Sequence, residues 1–392
     1  MKKKPDPKIS DVPARVVAYL HSGKMLRATL CRIATVEDTG SQTIVVVGDG
    51  GKATAGYDGS AIAGLGGTAI ALRGGLAYVL SGDATCLYHA GISIVRGEGT
   101  ARAVDTLSAV YGGGHAIMEG AGIAIAINPP DSVGFDSTAQ ASPGGLIILG
   151  YTDHSCKIPR IRYVVAKVGV GNIEGNKPYK LDKANICSSS WRPLPGPVVS
   201  PPTPDQNAPI RLVTKYMDNG NTHLNERLLD SPSTPTIVTD TGERAVVVTG
   251  DNGDVTAGCR GTAIAGRGSK ATALAEGFSY VRSGDATCVG PNGIAISVAG
   301  RSAIAAGMLA AAYRGGHAVM VGGGIAIAMN DFNATHLWAS AQAGYGGLIV
   351  VGRFVCTAGR WHLEYAHADV DGEKIKENTP YKMDDEGNLV EA

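Results

Sequence analysis

Four phrases of this chain occur twice at a single spacing. Ser81-Gly82-Asp83-Ala84-Thr85-Cys86 returns as Ser283-Gly284-Asp285-Ala286-Thr287-Cys288, and Gly113-Gly114-His115-Ala116 returns as Gly315-Gly316-His317-Ala318. Gly144-Gly145-Leu146-Ile147 returns as Gly346-Gly347-Leu348-Ile349, and Pro178-Tyr179-Lys180 as Pro380-Tyr381-Lys382. Every pair is separated by 202 positions (283 − 81, 315 − 113, 346 − 144, 380 − 178). A chain of 392 residues with this property is an internal duplication. It divides into residues 1–187, a linker at 188–209 that contains Pro193, Pro195, Pro197, Pro201, Pro202, Pro204 and Pro209, and residues 210–392.

Inside each copy a shorter period runs. Glycines stand at 51, 59, 67, 75, 91 and 99, with Asp83 in the vacant slot; the second copy has Gly253, Gly261, Gly277 and Gly293, with Asp285 in the matching place. Between them recur Ala61-Ile62-Ala63, Ala69-Ile70-Ala71 and Ala263-Ile264-Ala265. A glycine every eight residues costs a helix about 1 kcal/mol each, whereas a turn uses its freedom at positive φ. Short strands between glycine turns predict an all-β fold: two tandem parallel β-solenoid lobes, each with a small β cap. Arg15–Leu20 and Arg211–Tyr216 read as matching hairpin strands, turning at Ser22-Gly23 and Asn219-Gly220.

Side chains alternate along a strand, so the octads have an inner and an outer row. The flanking positions Ala53, Ala55, Ala61, Ala63, Ala69 and Ala71 are small, while the central positions run Thr54, Ile62, Ile70, Tyr78, Cys86, Ile94 and Arg102. Tyr78 and Arg102 do not fit a narrow apolar interior, so the alanines are expected inside and the central row outside. Successive octads lie on opposite sides of a coil. One outer face then carries Thr54, Ile70, Cys86 and Arg102, and the other Ile62, Tyr78 and Ile94, with Ile264, Tyr280 and Ile296 in the second copy. Such apolar faces call for a partner: the other copy, a second chain or a foreign molecule. The glycine register is expected to slip once, after Ala103.

Composition narrows the function. With 35 basic and 35 acidic residues the chain carries no net charge, which gives no support to a nucleic-acid or anionic-membrane surface. No apolar stretch reaches the length of a membrane span, and Lys2 to Lys8 leads into no apolar leader segment. The seven cysteines are odd in number, and only Cys86 and Cys288 correspond between copies, which points to a reducing cytoplasm rather than a disulfide framework. No His, Cys or Asp cluster has metal-ligand spacing, and no glycine phrase leads into a Gly-Lys-Ser/Thr loop, so neither metal nor cofactor is expected.

The octads resemble the octapeptide repeats of bacterial ice-nucleation proteins. They are more similar still to a group of uncharacterised phage and bacterial proteins with Ala/Gly octads and a tail of the form V-G-x-x-x-I-x-x-x-x-x-Y-x-L-D. Val168, Gly169, Ile173, Tyr179, Leu181 and Asp182 fit that tail, and Ile375, Tyr381 and Asp384 fit it in part. The resemblance implies a β-solenoid and no particular activity. Ice binding itself would need long threonine ladders, and only Thr54, Thr256 and Thr272 hold central positions.

The candidate binding residues are Tyr111 and His115 with Tyr313 and His317, at the expected irregular corner, and Asp83 and Cys86 with Asp285 and Cys288, where the octad is broken. The reading that follows is a non-enzymatic binding protein, acting on a macromolecule or small ligand as an inhibitor or sequestering protein, and associating with itself through its strand faces. Two alternatives remain open: an enzyme with one Asp/Cys/His site per copy, and a structural component of a virion or appendage.

Overall fold

The structure, a computed structural model, describes residues 35–128, 136–153, 161–181, 236–299, 301–331, 334, 336–355 and 362–392 in full. Residues 15–19, 25–29, 160, 186–188, 210–218, 221–229, 356–357 and 360–361 are described as strand backbone. The proline-rich segment and the two expected hairpin turns lie outside the described residues. Among those described there is no helix, and stacked parallel strands form a β-solenoid.

Each coil contributes one strand to each of two sheets. In the first half, Thr43–Val46, Ser60–Ala63, Leu76–Val79, Ile92–Val95, Leu107–Tyr111, Ile123–Asn128 and Leu146–Asp153 stack on one side. Thr35–Asp38, Lys52–Ala55, Gly67–Ala71, Gly82–Cys86, Gly99–Val104, Gly114–Glu119 and Thr138–Ala141 stack on the other. The second half repeats the pattern from Thr236–Asp240 and Ala245–Val248 to Leu348–Thr357. The alanines fill the inside as expected: Ala53, Ala61, Ala69, Ala77, Ala84 and Ala101 are all fully buried.

The central row behaves differently on the two sides. Thr54, Ile70, Thr85 and Arg102 form an outer row with Ile117 and Gln140, in which Ile70, Thr85 and Arg102 are half-buried and Thr54, Ile117 and Gln140 are buried. Ile62, Tyr78 and Ile94 point out of their coil yet are 3%, 1% and 0% exposed, because the second half lies against them. Ile264, Tyr280 and Ile296 belong to the same apolar cluster. Tyr78 stacks on Phe278 with ring centroids 4.1 Å apart and planes 15° from parallel. Contacts run at matching levels from Asp49–Arg244 near the first coils to Tyr163–Asp369 near the last, so the two sets of coils lie side by side and point the same way. The partner these faces call for is the other half of the same chain.

The register slips after Ala103 as expected, Leu107 pairing with Ile92 and Gly114 with Gly99, and it also slips earlier. Gly67 pairs with Gly82 and Gly82 with Gly99, a short coil followed by a long one. Glycine arrives one residue early at 82, and the corner accepts nothing else: a Cβ there would lie 2.1 Å from the Gly67 carbonyl oxygen, at φ +108°. Thr85 therefore takes the outer position assigned to Cys86, and Cys86 falls in the inner row between Ala71 and Ala103. In the second half Thr287 and Cys288 do the same.

The open ends are paired. Leu146–Asp153 turns back on Arg160–Lys167, and Leu348–Thr357 on Arg360–Asp369, both antiparallel. Tyr179–Leu181 and Tyr381–Met383 add to the other sheet edge. In each tail the tyrosine hydroxyl accepts a backbone N–H, Glu174 to Tyr179 at 2.7 Å and Lys376 to Tyr381 at 2.9 Å, so the tail residues that carry the resemblance hold a closing turn. At the opposite end the hairpins are exchanged. Arg15–Tyr19, paired with Met25–Thr29, runs parallel to Ala245–Val248 of the second half, and Ile210–Asp218, paired with Asn221–Leu229, runs parallel to Thr43–Val46 of the first. Each hairpin thus covers a strand edge that would otherwise offer unpaired N–H and C=O groups.

Candidate functional site

The structure separates the residues singled out from sequence. Tyr111 ends the strand Leu107–Tyr111, whereas His115 lies on Gly114–Glu119, around the corner made by Gly112, Gly113 and Gly114. Tyr111 and Tyr313 are therefore buried between the halves, at 2% and 4% exposure. Their hydroxyls have no hydrogen-bond partner among the described residues, and burial holds both phenols above the ordinary pKa, with Tyr313 adding to the effect on Tyr111. His115 and His317 sit on the outer faces instead, each with Nδ1 bonded to the next coil: Thr138 Oγ1 at 2.8 Å and Ser340 Oγ at 2.7 Å. Partial burial lowers the His115 pKa.

Cys86 and Cys288 are structural by position. Their Sγ atoms donate to the carbonyls of Ile92, at 3.1 Å, and Ile294, at 2.9 Å, and desolvation pushes each thiol up to about 11. A thiol held protonated inside the coil is no nucleophile for a histidine on its outside. Asp83 is exposed on the outer face; Asp285 accepts from Ser302 Oγ of the next coil at 2.6 Å. The eight candidates therefore form no common site.

The interface between the halves holds what the sequence reading missed. Two clefts run along its two margins, related by the same duplication. In each, turn residues of one half that adopt left-handed backbone face a double column of residues from the other. In the first cleft Asp58 (φ +52°), Gly74 and Ala90 (φ +64°) face Arg267, Arg282, Ser283, Val298, Ala299 and Arg314. In the second, Arg244 (φ +56°), Arg260 (φ +55°) and Glu276 (φ +55°) face Leu65, Leu80, Ser81, Arg96 and Gly97. Subtracting 202 maps one onto the other: Arg260 on Asp58, Glu276 on Gly74, Arg267 on Leu65, Arg282 on Leu80.

Each cleft is lined by three arginines and one carboxylate, placed on different residues. In the second cleft Arg260 donates to Glu276 at 2.8 Å and to Glu243 at 3.0 Å, Arg96 lies 4.0 Å from Glu276, and Arg244 reaches Asp49 at 3.1 Å. Its arginines lie near carboxylates of the protein, and Arg96 Nη1 is buried with no hydrogen-bond partner among the described residues. The first cleft encloses about 350 Å³. Its lining charges are three arginines and Asp58, which leaves 3 − 1 = 2 positive charges. Asp58 accepts from Arg282 at 2.5 Å, but the other Nη of Arg282 is buried without a hydrogen-bond partner among the described residues, as is the Oγ1 of Thr106 in the same wall. Arg314 is 3.9 Å from the exposed Asp331, and Arg267 is exposed at the mouth. Tyr280, Tyr313 and Phe354 supply an apolar wall.

Among the described residues no group of His, Cys, Asp and Glu is placed to hold a metal ion, and no helix is long and apolar enough to cross a membrane. The fold and this cleft define a β-solenoid with a cationic, ligand-sized cavity between its halves. The chain matches no family model, and no curated protein or solved structure matches it either.

Proposed function

We propose that this protein is a non-enzymatic binding protein, a tandem duplication of a capped solenoid lobe, that sequesters a small anionic molecule in the cleft between its halves. The observation that carries the reading is the net positive, partly unsatisfied lining of a cavity of about 350 Å³. A guanidinium nitrogen left without a hydrogen-bond partner in a low-dielectric wall is costly, and an anion supplies what the chain withholds. The apolar strand faces favour a small ligand over a macromolecule, because they are already spent on each other.

The test is mass spectrometry on the full chain purified from its own host. Under native conditions one small anion per chain is expected; after denaturation the same molecule should be released chemically unchanged. Conversion of that molecule during incubation with the protein would establish an enzyme instead. A chain isolated empty that also takes up no anion from host extract overturns the reading.

A further inference from the structure

We infer that the ligand of the open cleft is a small molecule carrying at least two linked phosphoryl groups, held end to end between Arg267 and Arg314. This deepens the reading just given and rests on it. The argument starts from the ladder. Val281 pairs with Ala265 and with Ser297, and Ser297 with Ala312. Carried two residues onward, this register puts Arg267, Ser283, Ala299 and Arg314 in one column, at successive coils. Strands stack about 4.8 Å apart, so the two arginines that end the column are about 14 Å apart at the backbone.

Between them stand two small side chains, Ser283 and Ala299, opposite Gly74 and Ala90 of the other half. These small side chains leave room between the two arginines of the column, and Arg282 of the adjoining column also lines the cavity. A linear ligand bearing negative charge along its length matches this arrangement better than a compact monoanion. Each terminal phosphate brings about −1.5 to −2 charges and three acceptor oxygens, which suits forked guanidinium donors.

Two features of the chain point the same way. Glu276 places a carboxylate in the second cleft, beside Arg260 and Arg96; the first cleft has Gly74 at that position, and its one lining carboxylate, Asp58, pairs with Arg282 and not with the arginines that end the column. Arg314 holds left-handed backbone (φ +61°) where the first half has Gly112 (φ +116°). Arg244 and Arg260 hold the same left-handed backbone, so such a corner accepts arginine, and Arg314 places a guanidinium in the cleft where the first half has none.

Isothermal titration calorimetry on the full chain tests this with tripolyphosphate, ATP, orthophosphate and citrate. Tripolyphosphate and ATP are expected to bind one per chain, and orthophosphate far more weakly. Arg267→Gln, Arg314→Gly and Ala299→Glu are each expected to weaken the bound polyphosphate about tenfold or more. Arg314→Gly, which restores the residue of the other half, should leave the melting temperature unchanged or raised, so that lost binding cannot be lost folding. Binding of ATP much above tripolyphosphate would assign a nucleotide; the two bound equally would assign the bare oligophosphate. Citrate bound in place of both phosphates overturns the ligand class and leaves the anion cleft standing. Polyphosphate binding that ignores all three substitutions overturns the site, and no binding of any probe overturns both proposals.

Discussion

Replacing Phe278 with alanine tests the packing on which the whole arrangement stands. The ring is fully buried, and it lies 4.1 Å from the ring of Tyr78 in the other half. Truncating a buried phenylalanine costs about 3–5 kcal/mol. About 0.5–1.5 kcal/mol of that belongs to the aromatic pair itself, and a double-mutant cycle with Tyr78→Leu isolates that share. Phe278→Leu is the internal control. The corresponding position of the first half is Leu76 (278 − 202), also fully buried, so leucine fits this kind of site. A swap between large apolar residues costs less than about 1.5 kcal/mol. Equilibrium urea unfolding followed by circular dichroism reads the parent, the three variants of the cycle and Phe278→Leu. If Phe278→Ala stays within about 0.5 kcal/mol of the parent, as an exposed site would, the two sets of coils are not packed on one another. The interface clefts then vanish with that packing.

Two further outcomes follow from single groups. Alkylation of the native protein at pH 8, mapped by peptide mass spectrometry, should modify exposed Cys259 and spare Cys86 and Cys288, whose thiols are buried and pushed up to about 11; equal labelling of all three would put the inner row of the coils in solvent. His115 has its pKa lowered from 6.5 by desolvation, so the unfolded chain takes up this proton more readily than the folded one. Its contribution to stability is complete above about pH 6.5 and is lost as the pH falls through the lower folded-state value. His115→Gln should therefore flatten the decline of stability between about pH 6.5 and 5, and an NMR titration midpoint for His115 above 6.5 would refute the sign.

The coil was legible because its signal is local. Glycine at every eighth position and alanine on both sides of a central residue fix the turn, the strand and the inner row, and Ala61 and Ala63 are buried accordingly. The misplacement of Cys86 came from counting through a missing glycine instead of noticing Gly82 one residue early; the clue was present, and its meaning is steric. Long-range facts were not legible in the same way. Ile62, Tyr78 and Ile94 have the same sequence whether the molecule covering them is the other half or a stranger. Nothing in Arg15–Tyr19 distinguishes the strand of its own half from Ala245–Val248, since both offer the same parallel edge.

The cleft was hidden for another reason. The candidate residues were chosen for being the same in both copies, and what repeats in a duplicated solenoid is what the coil itself requires. Asp83, Cys86 and His115 are spent on corners, interior rows and rungs. The arginines that face the cavity are those the second copy does not share with the first: Arg267 against Leu65, Arg282 against Leu80, Arg314 against Gly112. A tandem duplication carries its own internal control. Positions that agree report the scaffold, and turn positions that disagree in charge report where one copy took up a task the other lacks. By that criterion the diverged margin of the interface, and not the repeated corner, is where substitution should change what the protein binds while leaving intact how it folds.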